Sequence, residues 1–136
     1  MVVLLVGVLL GDAANAESDI EPLFRTIDLA MDESREVMLC DGRTTTVKLI
    51  GVDETRDSIR DAIRRATVRV EVDGQSVQLV SGNYELPRTV GRVQIDCPVT
   101  GGYRRNAQSD VWGLRKDARF RLWPAGSPWM RPGTFV

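Results

Sequence analysis

Residues Thr67–Val80 read TVRVEVDGQSVQLV. Val68, Val70 and Val72 alternate with Arg69 and Glu71. Asp73-Gly74 interrupts, and Val77 and Leu79 then alternate with Ser76 and Gln78. A period of two sends successive side chains to opposite faces of a strand. Asp-Gly between two such runs predicts a two-residue type I′ turn, whose twist matches that of the flanking strands. Two-residue closure sets Val70 opposite Val77 and Val68 opposite Leu79 on one face. Arg69, Glu71, Ser76 and Gln78 share the other face. Turn chemistry and apolar pattern therefore specify one register, since a slip of one residue turns every apolar side chain to the wrong face.

Upstream, Glu36–Cys40 and Thr44–Ile50 predict a second hairpin around Asp41-Gly42-Arg43. A three-residue loop pairs Val37 with Val47 and Leu39 with Thr45, which keeps the apolar set together. A strict Asp-Gly turn would put Val37 opposite Thr46 instead. Between the hairpins, Ile59, Ala62, Ile63 and Ala66 recur at i, i+3, i+4 and i+7, which predicts a short helix over Asp57–Ala66. Asp57 suits the positive end of its dipole, and Arg64 and Arg65 the negative end. In the lead-in segment Glu17–Met31, Ile27, Leu29 and Met31 alternate as in an edge strand. Downstream, Ser81–Arg88 reads as a loop. Thr89–Cys97 reads as a strand with a bulge at Gly91, and Pro98–Asp110 as a polar loop. In Ala118–Trp123, Phe120 and Leu122 alternate with Arg119, Arg121 and Trp123. The expected fold is mainly β (α+β by count): a small β-sandwich or barrel of six to seven strands with one short helix near 57–66.

The chain has 136 residues, 43% hydrophobic and 27% charged, which suits a single folded domain. With 18 basic and 19 acidic residues the net charge is −1, so no strong field draws it to nucleic acid or anionic lipid. Histidine is absent, which excludes a Ser-His-Asp triad, a Cys-His pair and a His-ligated metal. Two cysteines fall short of the four thiolates of a Cys-only zinc site. No catalytic residue, metal ligand or cofactor is therefore assigned within this chain, and as it stands it reads as a non-enzyme.

Met1–Leu10 is continuously apolar, but ten residues are half of what a membrane span takes, about 20. The run is followed by Ala14-Asn15-Ala16, a small-x-small cleavage pattern. Residues 1–16 thus read as a signal peptide, although no Lys or Arg precedes the run; a buried first strand is the other reading. Export implies a secreted or periplasmic protein. The remaining chain divides into one β-rich domain over 17–123 and an irregular tail or linker over 124–136, which carries three prolines and two glycines. In an exported chain, Cys40 and Cys97 could form one disulfide or remain two separate buried thiols.

Two groupings are candidates for chemistry. Arg56, Arg60 and Arg64 would form a stripe on the expected helix, with Asp57 and Asp61 beside them to neutralise it. Tyr103, Arg104, Arg105, Trp112, Trp123 and Trp129 could form a surface for cell-wall glycan or peptide, although core or interdomain contacts are the favoured reading of most of the aromatic residues. No pair of the acidic residues stands out by spacing.

Two family resemblances follow. Asp41-Gly42 with Thr46–Asp53 (TVKLIGVD) resembles the opening of staphylococcal-type nucleases. Arg43 stands where that family has a carboxylate metal ligand, however, Lys48 stands for its arginine, and the gap between the two parts is shorter. A divergent nuclease is a minor alternative. The second resemblance covers Leu29–Val136. The phrases ETRDSIRDAIRRATVRVEVDGQSVQLV, LVSGNYELP, VGRVQIDCPVT and DVWGLRKDARFRLWPAGSPWMRPGTFV resemble the N-terminal region of exported bacterial proteins that carry a C-terminal M23-type zinc metallopeptidase. The resemblance implies a peptidase partner domain after this region, with H-x-x-x-D and H-x-H zinc ligands. None of these is present here, so no catalytic role carries over to any residue of this chain, and zinc is expected only in the missing domain. The end at Gly133–Val136 fits a truncated frame. The expectation is an exported, non-catalytic accessory domain that positions or shields the enzyme. The alternative is a stand-alone module that binds cell-wall glycan or peptide.

Overall fold

The computed structural model describes residues 21–82, 84–102 and 113–131. The expected signal peptide, Tyr103, Arg104, Arg105 and Trp112 lie outside them. Among the described residues eight strands follow one another: β1 (Arg25–Leu29), β2 (Ser34–Met38), β3 (Thr44–Arg56), β4 (Ile63–Val72), β5 (Gln75–Val80), β6 (Arg88–Val90), β7 (Val93–Thr100) and β8 (Ala118–Pro124). They build two four-stranded antiparallel sheets, in the orders β2-β3-β4-β5 and β1-β8-β7-β6. Among the described residues the fold is thus a two-sheet β-sandwich, with no closed barrel and one or two strands more than expected.

The β4–β5 hairpin has the predicted register, Val70 opposite Val77 and Val68 opposite Leu79. Asp73 and Gly74 take φ of 49° and 84°, the two left-handed positions that a type I′ turn requires. The β2–β3 hairpin does have a three-residue loop, but one residue earlier than expected, at Cys40-Asp41-Gly42. Leu39 and Arg43 close it, and Gly42 takes φ 90°. Val37 therefore faces Thr45 rather than Val47. The shift moves the pairing by two residues, so inward residues stay inward, and Val37, Leu39, Thr45, Val47 and Leu49 are all buried. Gly91 marks a turn rather than a bulge. With φ 58° it lets Val90 and Val93 pair directly, splitting the expected strand into β6 and β7. Strand β7 also runs on through Pro98–Thr100, part of the expected polar loop, with an irregularity between Asp96 and Val99.

The expected helix over Asp57–Ala66 is absent. The Asp61 N–H reaches the Asp57 carbonyl at 2.8 Å, closing a single helical turn. Asp61 then takes φ 55° and reverses the chain into β4. Ile59, the supposed core residue of that helix, is 88% exposed, whereas Ala66 is fully buried within a strand. Ala66, Val68, Val70 and Val72 continue one period-two series, and pairing with β3 as far as Arg56–Ile63 satisfies the backbone of this stretch.

Ile27, Leu29, Ile95, Phe120 and Leu122 from one sheet meet Leu39, Val47, Leu49, Val68 and Val70 from the other in a single core. Burying each such side chain stabilises by about 1.5–3 kcal/mol. The cysteines are unpaired: Cys97 is buried in this core and Cys40 sits half-buried in the β2–β3 turn. Burial pushes the Cys97 thiol up to about 12, which keeps it a neutral thiol. Among the described residues no helix is long and apolar enough to cross a membrane.

Candidate functional site

A bulge creates the site. Along the first part of β3 the odd-numbered residues face the core, and Leu49 pairs with Val70. Gly51 then pairs with Arg69, which leaves Ile50 as an extra residue. One inserted residue inverts the alternation. Val52 now faces Val68 and Glu54 faces Ala66, both on the inner side of the sheet. The absence of a Cβ at Gly51 leaves room there for the end of the Arg69 side chain. The bulge thus delivers a carboxylate and a guanidinium, Glu54 and Arg56, to the open end of the sandwich.

There they line a cleft of about 480 Å³ together with Met31, Val52, Gly101, Gly102 and Asp117. Arg56 bonds Glu54 Oε2 through Nη2 at 2.7 Å and the Asp61 carbonyl through Nη1 at 2.8 Å. The Glu54 side chain is only 16% exposed. Its carboxylate and the Ile63 methyl occupy the space that a Cβ on Gly102 would need, so a larger residue there would have to displace them. Asp117 accepts from the Met31 N–H at 2.7 Å through Oδ2, while its own N–H bonds the Leu29 carbonyl at 3.0 Å. Next to it, Lys116 Nζ bridges both Glu33 carboxylate oxygens at 2.8 Å. The Ala30 N–H, then the Lys116 ammonium, hold the Glu33 carboxyl below its ordinary value. These bonds tie the β1–β2 turn to the segment before β8 and shape one wall of the cleft. The result is a polar mouth with hydrogen-bond acceptors, a partly satisfied guanidinium and the thioether of Met31. No group of three metal-ligating side chains occurs among the described residues.

The other candidates are dispersed. Asp57 accepts from the Ile59 N–H and pairs with Arg64 at 3.0 Å, and Arg56 pairs with Asp61. Arg56 and Arg64 are therefore neutralised, but around a turn and not along a helix face. Asp41 lies in the β2–β3 turn, and Asp53 pairs with Arg69 near the far end of β3. Strand rise alone separates these two parts of the nuclease-like motif by on the order of 30 Å. Trp123 is no binding surface, being 1% exposed. It lies 5.1 Å from the Phe24 ring, and Arg121 sits over both rings at 5.3 and 5.5 Å. Arg121 also forms a bidentate pair with the buried Asp96. Of the six residues proposed as a surface, Trp129 alone is shown exposed, at 47%.

Of the cleft residues only Arg56 was among the sequence candidates, as part of the arginine stripe. The available signals were Gly51, where the alternation changes phase, and the Gly101-Gly102 pair. Comparison with protein-family models, curated proteins and solved structures finds no match to this chain.

Proposed function

We propose that the chain is an exported, non-catalytic accessory domain that positions or shields an M23-type zinc metallopeptidase domain. The observation that carries this reading is the likeness of Leu29–Val136 to the region preceding such enzymes. The geometry is compatible with a positioning role. Beyond β8, the Ala125 N–H bonds the Arg92 carbonyl at 2.9 Å, and the Gly126 N–H bonds Gln94 Oε1 at 3.2 Å. Gln94 Nε2 returns a bond to the Ser127 carbonyl at 3.0 Å, and Arg131 reaches the Glu21 carbonyl. A segment fastened at four points transmits the orientation of the sandwich to a domain joined after it, which a flexible linker does not. Zinc and its activated water would belong wholly to that enzyme domain.

Reading the source gene past codon 136 tests the proposal. H-x-x-x-D and H-x-H in the same frame are expected, and a stop codon at that point overturns the accessory role. Zinc-dependent cleavage of a glycyl peptide by this chain alone overturns its non-catalytic part. The open polar cleft and the half-exposed Trp129 favour a second reading, a stand-alone module for cell-wall glycan or peptide. That reading requires saturable quenching of tryptophan fluorescence by cell-wall fragments, and a flat titration excludes it.

A further inference from the structure

Strand β5 ends its sheet, and among the described residues β4 is its only partner. The Ser81 N–H bonds the Ala66 carbonyl at 2.8 Å. Hydrogen-bonded pairs alternate along an antiparallel ladder. Residues 75, 77 and 79 therefore turn their backbone groups toward β4, and Ser76, Gln78 and Val80 direct theirs out of the sheet. Exposed edges are normally blunted by charge, proline, bulges or shortness. The other three edges follow that rule. Strand β1 carries Arg25 and Asp28, β2 carries Arg35 and Glu36, and β6 has three residues preceded by Pro87. Strand β5, QSVQLV, has six residues and none of these devices.

We propose that this edge is a self-association site, at which β5 pairs antiparallel with β5 of a second copy of the chain. A two-fold axis sets each residue near it against its own counterpart or a near neighbour. A charged strand would there oppose like with like, which is destabilising. QSVQLV brings no such penalty. With the axis at Gln78, Gln78 meets its counterpart, Ser76 meets Val80, and Val77 meets Leu79 on the apolar side. The nearest charges, Arg69 and Glu71, lie one strand back opposite Gln78 and Ser76, and Arg69 is paired with Asp53 at 3.6 Å. A depression of about 310 Å³ lined by Ile50, Arg69, Ser76, Val77 and Gln78 runs beside the edge and leaves room for incoming side chains. Tyr84 and Leu86, 96% and 65% exposed, stand in the loop that leaves β5 and supply further apolar area. One six-residue strand buries less than the roughly 800 Å² per partner of a standard interface, so the dimer is weak.

Sedimentation equilibrium tests this. The weight-average mass should climb from one chain toward two between about 10 µM and about 1 mM. The Gln78→Lys variant, changed at an exposed side chain, should keep the same circular dichroism and bind itself at least about tenfold more weakly. Hydrogen exchange at Ser76, Gln78 and Val80 should slow with concentration while β2 amides do not change. A monomer at every concentration overturns the proposal. So does a dimer of equal strength in Gln78→Lys, or edge protection that appears only when an extended peptide is added to a monomeric chain.

Discussion

Asp96 is 3% exposed on the outer side of its sheet, and the Arg121 guanidinium is its charge partner. Burial pushes the Asp96 carboxyl above its ordinary value of 3.8, against the pull of Arg121. A carboxyl raised in the folded state favours folding in its protonated form. That contribution is present below the unfolded value and is lost as pH rises through the folded one. Replacing Arg121 by Met keeps much of the aliphatic stem but removes the guanidinium, which carries the charge and sits over Phe24 and Trp123. Asp96 is then a buried carboxylate without its cation, and at about pH 7 the variant should be less stable by about 3 kcal/mol. Loss of Arg121 raises the carboxyl further, so protonation should recover much of the deficit by about pH 4. Urea unfolding at both pH values checks this. A deficit independent of pH would mean that Arg121 acts through ring packing and not through charge.

At the scale of elements, the Asp57–Ala62 turn makes a contrast that a helix would not. Ile59→Lys should change stability by less than about 0.5 kcal/mol, because the side chain stands in solvent. Ala66→Lys, seven residues on and on the same supposed helical stripe, forces an ammonium into the inter-sheet core and should cost several kcal/mol, about 3 or more. Thermal unfolding of the two variants separates turn from helix; equal losses would restore the helix. The elements that sequence reading found are those specified locally. In Thr67–Val80 the turn residues and the alternation act within fourteen positions and agree, so the register follows. At Asp57–Ala66 two periods overlap, because Ala66 completes both a helical stripe and the strand series through Val72. The choice between them comes from β3, which supplies partners that no local rule contains. The cleft was illegible for the same reason. Glu54, Gly102 and Asp117 come from three segments with no mutual spacing, and Glu54 faces inward only because the bulge at Ile50 inverts the alternation.

At the scale of the molecule, the two sheets differ in how far apart their strands lie in the chain. The sheet β2-β3-β4-β5 is a meander of consecutive strands between Ser34 and Val80. The other sheet needs β1 beside β8, where Asp28 and Arg119 pair across 91 residues. The entropy of closing a loop rises with its length and must be met before the distant contacts form. The meander therefore has the shorter route, led by the β4–β5 hairpin, and its exposed apolar face then templates β1, β7 and β8. In pulse-labelled hydrogen exchange during refolding, amides of β4 and β5 should gain protection before those of β1 and β8. Earlier protection of β1 and β8 would place the nucleus in the other sheet. The order bears on the proposed role. Asp117 and the fastened segment after β8 both depend on the late sheet, so the cleft and the attachments of that segment form only when the sandwich closes. A variant that weakens β8 pairing, such as Phe120→Ala, removes a fully buried side chain from that sheet and should cost about 3–5 kcal/mol. Its loss should appear mainly as faster unfolding, with the refolding rate nearly unchanged, because residues that pack after the nucleus act on the unfolding limb.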